Sequence, residues 1–254
     1  MKTITLTFLS VLILLLNSCS SDDPLTDDNG GNSKPQRRIT KIETISTYRN
    51  TTETFSYDKQ GRWIEHIEKW NNDYNNSMRV YTLTYSENVI TYSGKYIENE
   101  YQADYDIDTF ELKNNIIISR NNKTPYHYSN GYWVQIGESY GDFEYTNGNL
   151  TKVIEGKGES GEKTYIITYT DYPDKMGFCP YETSYNDTAI GVNPANILYQ
   201  FGYFGKKSKN LIKSINNSTS YSYKFDNEGY VTEIVEKETY QGTTDITTYK
   251  IYYE

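Results

Sequence analysis

Residues 221–237 read YSYKFDNEGYVTEIVEK, a turn-forming tetrad between two alternating runs. Tyr221, Tyr223 and Phe225 are spaced by two, so their rings share one face of an extended strand. The tetrad Asp226–Gly229 combines Asp, Asn and Gly, the residue types that supply turn and left-handed conformations. The stretch therefore predicts an antiparallel hairpin whose strands have a ring-bearing face and a polar face.

The same unit recurs along the chain with a degenerate spacing. Alternating aromatic strands followed by turns rich in Asp, Asn or Gly occur in residues 55–70, 81–92 and 143–155, and residues 249–253 form a last alternating strand. Strand–turn–strand units without helical periodicity between them indicate an antiparallel meander. We therefore predict an all-β protein with little helix, in which residues 39–254 form one domain. In the less regular region 177–204, Asn193–Leu198 is predicted to form one helical turn that caps the sheet.

The chain holds 28 tyrosines, and this excess bears on the shape of the sheet. A tyrosine ring buries much apolar area while its hydroxyl stays hydrated, so tyrosine suits a sheet whose faces are only partly covered. We therefore expect a single large curled sheet or incomplete barrel, and not a sandwich with a dry aliphatic core.

Two of the turn units carry a resemblance to known families. Tyr57–Arg62 (YDKQGR) and Phe225–Tyr230 (FDNEGY) resemble YD (Rhs-type) repeats, which build curled β-sheets by hairpin stacking. Gly205–Ile215 followed by Tyr223–Ile234 is similar to uncharacterised Bacteroidota surface lipoproteins with a porin-like fold, domain of unknown function 4595. The resemblance extends over residues 39–254. It implies a fold, and it brings no established activity, cofactor or catalytic residue.

The amino terminus has the features of a lipoprotein signal. Phe8–Leu16 is an apolar run too short to span a bilayer, which needs about 20 residues, and it has the length of a signal-peptide core. The following Leu16-Asn17-Ser18-Cys19 resembles a bacterial lipobox, which implies cleavage before Cys19 and acylation of its sulfur. We therefore predict a signal peptide over residues 1–18 and a lipid anchor at Cys19. A plain secretory signal with an incidental cysteine is the alternative.

Residues 19–38 are predicted to form a flexible tether between the anchor and the domain. Residues 20–38 contain four Asp, two Pro and two Gly and almost no apolar side chain, so they cannot bury enough surface to fold. Ser20-Ser21-Asp22-Asp23 resembles the acidic export tag of Bacteroidota lipoproteins, which implies the outer membrane and a position at the cell surface. A solvated linker with a chance acidic pair is the alternative. Lipidation of Cys19 leaves Cys179 without a disulfide partner.

The charge balance and the rare residue types argue against several functional classes. With 34 acidic and 25 basic side chains the formal charge is −9, which disfavours a nucleic-acid partner. Two histidines and one cysteine besides Cys19 argue against a zinc or Cys-His site. We expect no cofactor, no metal and no catalytic residue. His66, beside acidic residues in a predicted strand, is expected to form a cross-strand pair.

Three short motifs match catalytic, nucleotide-binding or calcium-binding signatures in part. Gly137–Gly141 matches G-x-S-x-G, but a strand follows it and both histidines precede it, which disfavours a hydrolase elbow. Gly156–Gly161 matches G-x-G-x-x-G, but the strand after it offers no helix N-terminus to a phosphate. Both are predicted to be hairpin turns. Asp104, Asp106 and Asp108 could invite Ca²⁺, yet the Gly and Glu of an EF-hand loop are missing, which favours a solvated strand face.

Three tryptophans are candidate ligand contacts. Trp63, Trp70 and Trp133 could stack on sugars if they lie on a concave face, and packing within a tyrosine-rich sheet is the alternative. Trp63 and Trp70 are seven residues apart, so a regular strand would place them on opposite faces.

Three functional hypotheses follow from these features. The first is a non-enzymatic, surface-anchored lipoprotein that binds an extracellular ligand such as a glycan, a peptide or an amphiphile. The second is a structural or assembly partner of an outer-membrane complex that uses its sheet edges for strand addition. The third is a hydrolase whose paired carboxylates are not visible in the sequence.

Overall fold

The computed structural model describes residues 37–47, 50–70, 77–99, 101–137, 141–177 and 198–254, with the backbone alone for residues 105 and 106. The predicted signal peptide, Cys19 and the tether before Arg37 lie outside the described residues, as does Cys179. No helix in the described part of the chain is long and apolar enough to cross a membrane.

The described chain is an antiparallel meander in which each strand is hydrogen-bonded to the next one in sequence. The strands are Ile39–Ser46 (β1), Asn50–Tyr57 (β2), Trp63–Trp70 (β3), Ser77–Tyr85 (β4), Val89–Glu98 (β5), Tyr101–Lys113 (β6), Ile116–Arg120 (β7), Thr124–Ser129 (β8), Tyr132–Ile136 (β9), Gly141–Thr146 (β10), Asn149–Glu155 (β11), Lys163–Pro173 (β12), Asn210–Ile215 (β13), Thr219–Phe225 (β14), Val231–Tyr240 (β15) and Thr243–Tyr253 (β16). β16 then pairs with β1, with Ile251 opposite Ile42, so the sheet is a closed barrel of these 16 strands.

Closure of the barrel makes the prediction of a curled sheet or incomplete barrel wrong. The antiparallel all-β meander is confirmed, and among the described residues only 198–200 are in an α-helix. β1 and β16 cover each other's edges, which satisfies the N–H and C=O groups that an open sheet would expose. Alternation within a strand predicts its two faces but carries no information about the pairing of the first strand with the last.

The barrel has two different ends. The floor end is the one at which β1 begins and β16 ends, and the rim end is the one at which β15 and β16 are joined. Two floor turns are formed by the residues predicted from the sequence, Asp58–Gly61 and Asp226–Gly229. In each turn the aspartate carboxylate, of Asp58 or Asp226, accepts hydrogen bonds of 2.8–2.9 Å from backbone N–H groups two and four residues later. Gly61 and Gly229 take φ values of +81° and +80°, which residues with a Cβ rarely adopt.

A floor segment, residues 174–177 and 198–209 between β12 and β13, packs into the floor end. Phe204 in this segment is fully buried, and its ring centroid lies 4.7 Å from that of Trp133 and 5.4 Å from that of Tyr126. These rings come from β9 and β8, so the segment joins the floor to the wall. Burial of such aromatic rings contributes several kcal/mol to a core.

Residues 198–200, at the start of the second part of the floor segment, are helical. Leu198, the last residue of the predicted capping turn, is helical and fully buried, and residues 193–197 of that turn lie outside the described residues. The segment also approaches the β8–β9 turn closely. Gly205 takes φ +80°, and a Cβ there would collide with the carbonyl oxygen of Gly131. The backbone N–H of Lys206 donates a hydrogen bond of 2.8 Å to the same oxygen.

Side chains on each strand alternate between the lumen and the outer wall. On β14, Tyr221 and Tyr223 point into the barrel and are buried or half-buried, whereas Ser220, Ser222 and Lys224 are exposed outside. The ring-bearing face predicted from the sequence is therefore the lumen, and the polar face is the outer wall.

Several lumenal tyrosines tie neighbouring strands together near the floor end. Each hydroxyl donates a hydrogen bond of 2.5–2.6 Å to a backbone carbonyl near the start of the preceding strand. The pairs are Tyr57–Ile39, Tyr85–Trp63, Tyr128–Ile117, Tyr169–Leu150, Tyr223–Ile212 and Tyr253–Val231. Burial raises the pKa of Tyr57, Tyr85 and Tyr223, so these hydroxyls remain protonated donors. The prediction that the hydroxyls would stay hydrated is wrong for this set, because the backbone takes the place of water.

The outer wall carries a row of alternating charges. Lys224, Glu233, Lys250 and Glu43 are directly opposite one another on β14, β15, β16 and β1. The Nζ of Lys224 lies 2.6 Å from Oε1 of Glu233. Glu43 also accepts a hydrogen bond of 2.8 Å from Lys41, and this bond lowers the pKa of the Glu43 carboxyl. Such a row is stable in water, where exposed ion pairs cost little.

Candidate functional site

The rim half of the lumen contains an acid row of three charged residues. Glu53 on β2, Glu68 on β3 and Arg79 on β4 are directly opposite one another in the ladder. The two glutamates are 4% and 2% exposed, and Nη1 of Arg79 lies 3.5 Å from Oε2 of Glu68. Adjacent buried carboxylates are costly unless nearby cations and hydrogen bonds compensate them. The acid row is therefore a place where the sequence departs from the mostly apolar lining of the floor half of the lumen.

Three aromatic residues, Trp70, Tyr96 and Tyr101, form a rim cluster beside the acid row. The ring centroids of Trp70 and Tyr96 are 6.2 Å apart and those of Tyr96 and Tyr101 are 6.4 Å apart, both in edge-to-face geometry. The guanidinium carbon of Arg79 lies 4.7 Å from the Trp70 ring centroid. Tyr96 donates a hydrogen bond of 2.7 Å to Glu98, and Tyr101 is 63% exposed. Accessible rings and a few fixed polar groups are the usual components of a ligand site.

A stack of rings lies on the floor side of the acid row. His66 is sandwiched between Phe55, at 4.8 Å and 11°, and Tyr81, at 5.3 Å and 7°, and Tyr92 continues the stack at 5.3 Å from Tyr81. His66 is fully buried, and neither ring nitrogen has a hydrogen-bond partner. Its Nε2 lies 3.3 Å from Oε2 of Glu53, which confirms the expected cross-strand neighbour. Burial lowers the pKa of His66 to about 3, so the ring is neutral at neutral pH.

Other strands also direct carboxylates into the rim half of the lumen. Glu236 on β15 is 8% exposed and accepts a hydrogen bond of 3.2 Å from the hydroxyl of Tyr249. Nearer the rim, Glu238 on β15 and Asp245 on β16 are directly opposite each other. Glu155 lies on the same face of β11 as the buried Val153. The rim half is therefore acidic on several sides.

Two of the three tryptophans are packed in the core, and the third lies in the rim cluster. Trp63 and Trp133 are 0% and 3% exposed near the floor end, and each Nε1–H donates to the carbonyl two residues later, of Glu65 at 2.8 Å and Gln135 at 3.1 Å. Trp70 lies in the rim cluster and is half-buried. The prediction that Trp63 and Trp70 face opposite sides is wrong, because a register shift in the β2–β3 ladder turns both into the lumen. Sugar stacking by these residues stays a prediction.

A register shift also separates the aspartates of β6. Asp104 pairs with Lys95 outside the barrel, whereas Asp108 faces inward and accepts hydrogen bonds of 2.6 Å from Arg120 and from Asn121. The expected solvated face holding all three aspartates is therefore wrong, because the β5–β6 ladder contains a bulge. Within the described residues, no group of three His, Cys, Asp or Glu side chains could hold a metal ion.

The two glycine-rich motifs lie between strands. Residues 156–162 connect β11 to β12, as predicted for a hairpin loop, and Gly158 donates its backbone N–H to Glu162 at 2.9 Å. Gly137 and Gly141 flank residues 138–140, which lie outside the described residues.

Sequence reasoning missed the acid row, and a signal for it was present. Glu53 has the same parity as Phe55 and Tyr57, and Glu68 has the same parity as His66 and Trp70. A charged residue in step with the rings of an alternating strand points to the buried face. This pattern could have located the site.

Solved structures resemble this chain, although no family model and no curated protein matches it. A porin-like protein from Bacteroides uniformis ATCC 8492 is 16% identical with a TM-score of 0.60, over 87% of this chain and 100% of that one. A porin-like protein from Bacteroides vulgatus ATCC 8482 is 10% identical with a TM-score of 0.39, over 85% of this chain and 98% of that one. The first comparison establishes a porin-like β fold, which was expected, and at this identity it establishes the fold alone.

Proposed function

We propose that this chain is a non-enzymatic, lipid-anchored lipoprotein of the outer membrane that binds an extracellular ligand in the rim half of its barrel. The observation that carries the proposal is the polarity of the wall. A membrane-spanning barrel has an apolar outer band and a polar interior. This barrel departs from that arrangement: most buried lumenal positions carry rings or aliphatic side chains, and the outer wall carries hydroxyls and ion pairs among isolated exposed isoleucines such as Ile107 and Ile166.

The charged side chains on the outer wall favour a wall that lies in water. The row from Lys224 through Glu233 and Lys250 to Glu43 crosses four adjacent strands. A lysine costs about 2–4 kcal/mol at the middle of a bilayer and less toward its surfaces. The row runs from the floor end of β14 to the middle of β1, so its inner members would add to the cost of a membrane-spanning wall. A barrel of this kind needs a separate anchor to stay at a membrane, and the predicted acylation of Cys19 supplies one.

The start of the described chain supports an orientation for the barrel. Arg37 Nη1 lies 2.5 Å from Oδ2 of Asp226, and its guanidinium lies 5.1 Å from the ring centroid of Tyr253. Arg38 exchanges backbone hydrogen bonds of 3.0 and 3.4 Å with Glu254. The tether therefore enters at the floor end. An anchor at Cys19 would be linked through the flexible tether to the floor end, which leaves the rim half free to face the medium.

The floor segment supports entry of the ligand from the rim. Phe204 and Leu198 are fully buried at the floor end, whereas Tyr101 and Tyr240 at the rim end are 63% and 71% exposed. The resemblance to Bacteroidota surface lipoproteins fits the same proposal, because those proteins join a porin-like fold to a lipid anchor.

The other two hypotheses are weaker on this structure. Strand addition needs a free sheet edge, and pairing of β1 with β16 covers the edges of both terminal strands. A hydrolase needs accessible carboxylates. Glu53 and Glu68 face each other but are almost completely buried, so a polymer cannot reach them in this conformation.

Replacing Cys19 by alanine is expected to release the protein from the membrane. The wild type should incorporate a clickable palmitate analogue and sediment with membranes, and Cys19→Ala should do neither, because acylation supplies the anchor. Cys179→Ala is the matched control and should behave like the wild type. Membrane sedimentation of Cys19→Ala without label would show that the barrel holds itself in the bilayer and would reject the proposal.

A further inference from the structure

We infer that the rim half of the lumen binds an organic cation: an amine or guanidinium group, carried by a peptide side chain or by a free polyamine. The inference rests on the proposed function and names the chemistry of its ligand. It is argued from the lumenal charge, from the rings of the rim cluster and from one buried histidine.

The lumenal charge in the rim half is acidic. The acids nearest the rim are Glu98, Glu155, Glu238 and Asp245, and the buried Glu53, Glu68 and Glu236 lie deeper in the same half of the lumen. The strand bases that face them among the described residues are Arg79, Arg120 and Lys163. Arg79 and Arg120 are within 3.5 and 2.6 Å of Glu68 and Asp108, so their charges are already balanced. A concave surface lined by one sign of charge concentrates ions of the opposite sign, here cations.

The rim cluster provides rings that can receive a cation. The chain itself already places the Arg79 guanidinium 4.7 Å from the centroid of Trp70, which is a cation–π contact. Tyr96 and Tyr101 continue the cluster toward the exposed rim. Glu98 accepts the hydrogen bond of Tyr96, and this places a carboxylate beside the rings. Rings with adjacent carboxylates form the arrangement that recognises ammonium groups.

His66 is the independent sign that this part of the lumen is built for a polar occupant. It is fully buried, neither ring nitrogen has a hydrogen-bond partner, and its Nε2 edge points at Glu53 over 3.3 Å. Buried ring nitrogens without a hydrogen bond are costly, so a core selected for stability alone would carry an apolar ring in this stack. The edge of His66 points into the acid row.

Charge also distinguishes between ligand classes. The acids repel nucleotides, phosphorylated ligands and acidic glycans, and they give no advantage to neutral sugars. An amine or guanidinium gains from both the carboxylates and the rings. A lysine- or arginine-rich peptide and a free polyamine present the same group, so the two sources have to be separated by experiment.

The test is calorimetric titration of the purified, full-length lipoprotein in detergent micelles. The probes are spermine, a short lysine-rich peptide, a neutral maltooligosaccharide and polyglutamate. We expect spermine or the peptide to bind, more weakly as NaCl is raised from about 20 to about 300 mM. The double variant Glu238→Gln/Asp245→Asn removes two lumenal charges and should weaken binding about fivefold. Glu43→Gln/Glu233→Gln removes two outer-wall charges and should stay within about twofold of the wild type.

Each outcome of the titrations has a defined meaning. Binding of spermine alone identifies a polyamine as the source, and binding of the peptide alone identifies a peptide. Equal weakening in the lumenal and outer-wall variants, with both folded by circular dichroism, would mean unspecific ion exchange and would overturn the inference. Binding of both cations supports the shared chemistry, and the tighter one identifies the preferred source. Binding of the maltooligosaccharide or of polyglutamate without either cation would overturn the inference and leave the proposed function in place. Failure of all four probes would count against both.

Discussion

Substitution of Phe204 by alanine is expected to lower the free energy of unfolding by about 4 kcal/mol, because a fully buried aromatic ring is removed from the core. Phe204 packs on Trp133 and Tyr126, whose strands are not sequence neighbours of the floor segment. The loss should appear as a lower midpoint in urea unfolding. If the wall keeps its structure while fluorescence shows that the Trp133 ring becomes exposed early in unfolding, the damage is confined to the floor.

Ile107→Ala is the control for the floor variant. Ile107 is 72% exposed on the outer wall of β6, so its truncation should change the unfolding free energy by at most about 0.5 kcal/mol. Similar losses in the two variants would contradict the assignment of lumen and outer wall. A Phe204→Ala protein as stable as the wild type would show that the floor segment is not part of the core.

His66→Phe is expected to change how stability depends on pH. Burial holds the folded pKa of His66 at about 3, against an unfolded value near 6.5. Between these values the unfolded chain binds a proton that the folded chain does not, so His66 lowers stability as pH falls. The wild type should lose roughly 3 kcal/mol from this source between pH 7 and pH 4. Phenylalanine fits the stack between Phe55 and Tyr81 and does not titrate.

The measurement is urea unfolding of the wild type and His66→Phe at several pH values between 4 and 7. The variant should become the more stable protein as pH falls, and the difference should grow by the amount given above. His127→Phe is the matched control, since His127 is exposed on the outside of β8, and it should retain the wild-type pH dependence. Parallel curves for wild type and His66→Phe would mean that His66 shares a proton with Glu53 in the folded state.

The hairpins were predictable because their determinants are local. Alternation of Tyr221, Tyr223 and Phe225 fixes a ring-bearing face, and Asp226–Gly229 fixes the turn by hydrogen bonds within a few residues. Closure was not predictable, because pairing of β16 with β1 joins the two ends of the domain. Tyrosine was misread for a related reason: the carbonyl that receives the Tyr223 hydroxyl belongs to Ile212 on another strand.

In the candidate site, too, local features were predictable from the sequence and features that depend on strand register were not. Trp70 was named from sequence, and it does lie on an accessible part of the lumen. Trp63 and Trp70 were expected on opposite faces of a regular strand, but one bulge changes the parity of β3, and a bulge leaves no clear mark in the sequence. Glu53 and Glu68 become a row only through the register of β2 and β3, although their parity with the rings was visible.

In the proposed arrangement the outer wall of the barrel lies in water and only the lipid touches the membrane. This arrangement can be tested on the full-length lipoprotein in vesicles, with Cys179→Ser and a fluorophore attached through Ser222→Cys. Ser222 is exposed in the middle of β14. We expect aqueous iodide to quench the fluorophore and brominated lipid chains not to quench it. Quenching by the brominated chains with protection from iodide would place β14 within the bilayer and would rule out a water-exposed wall.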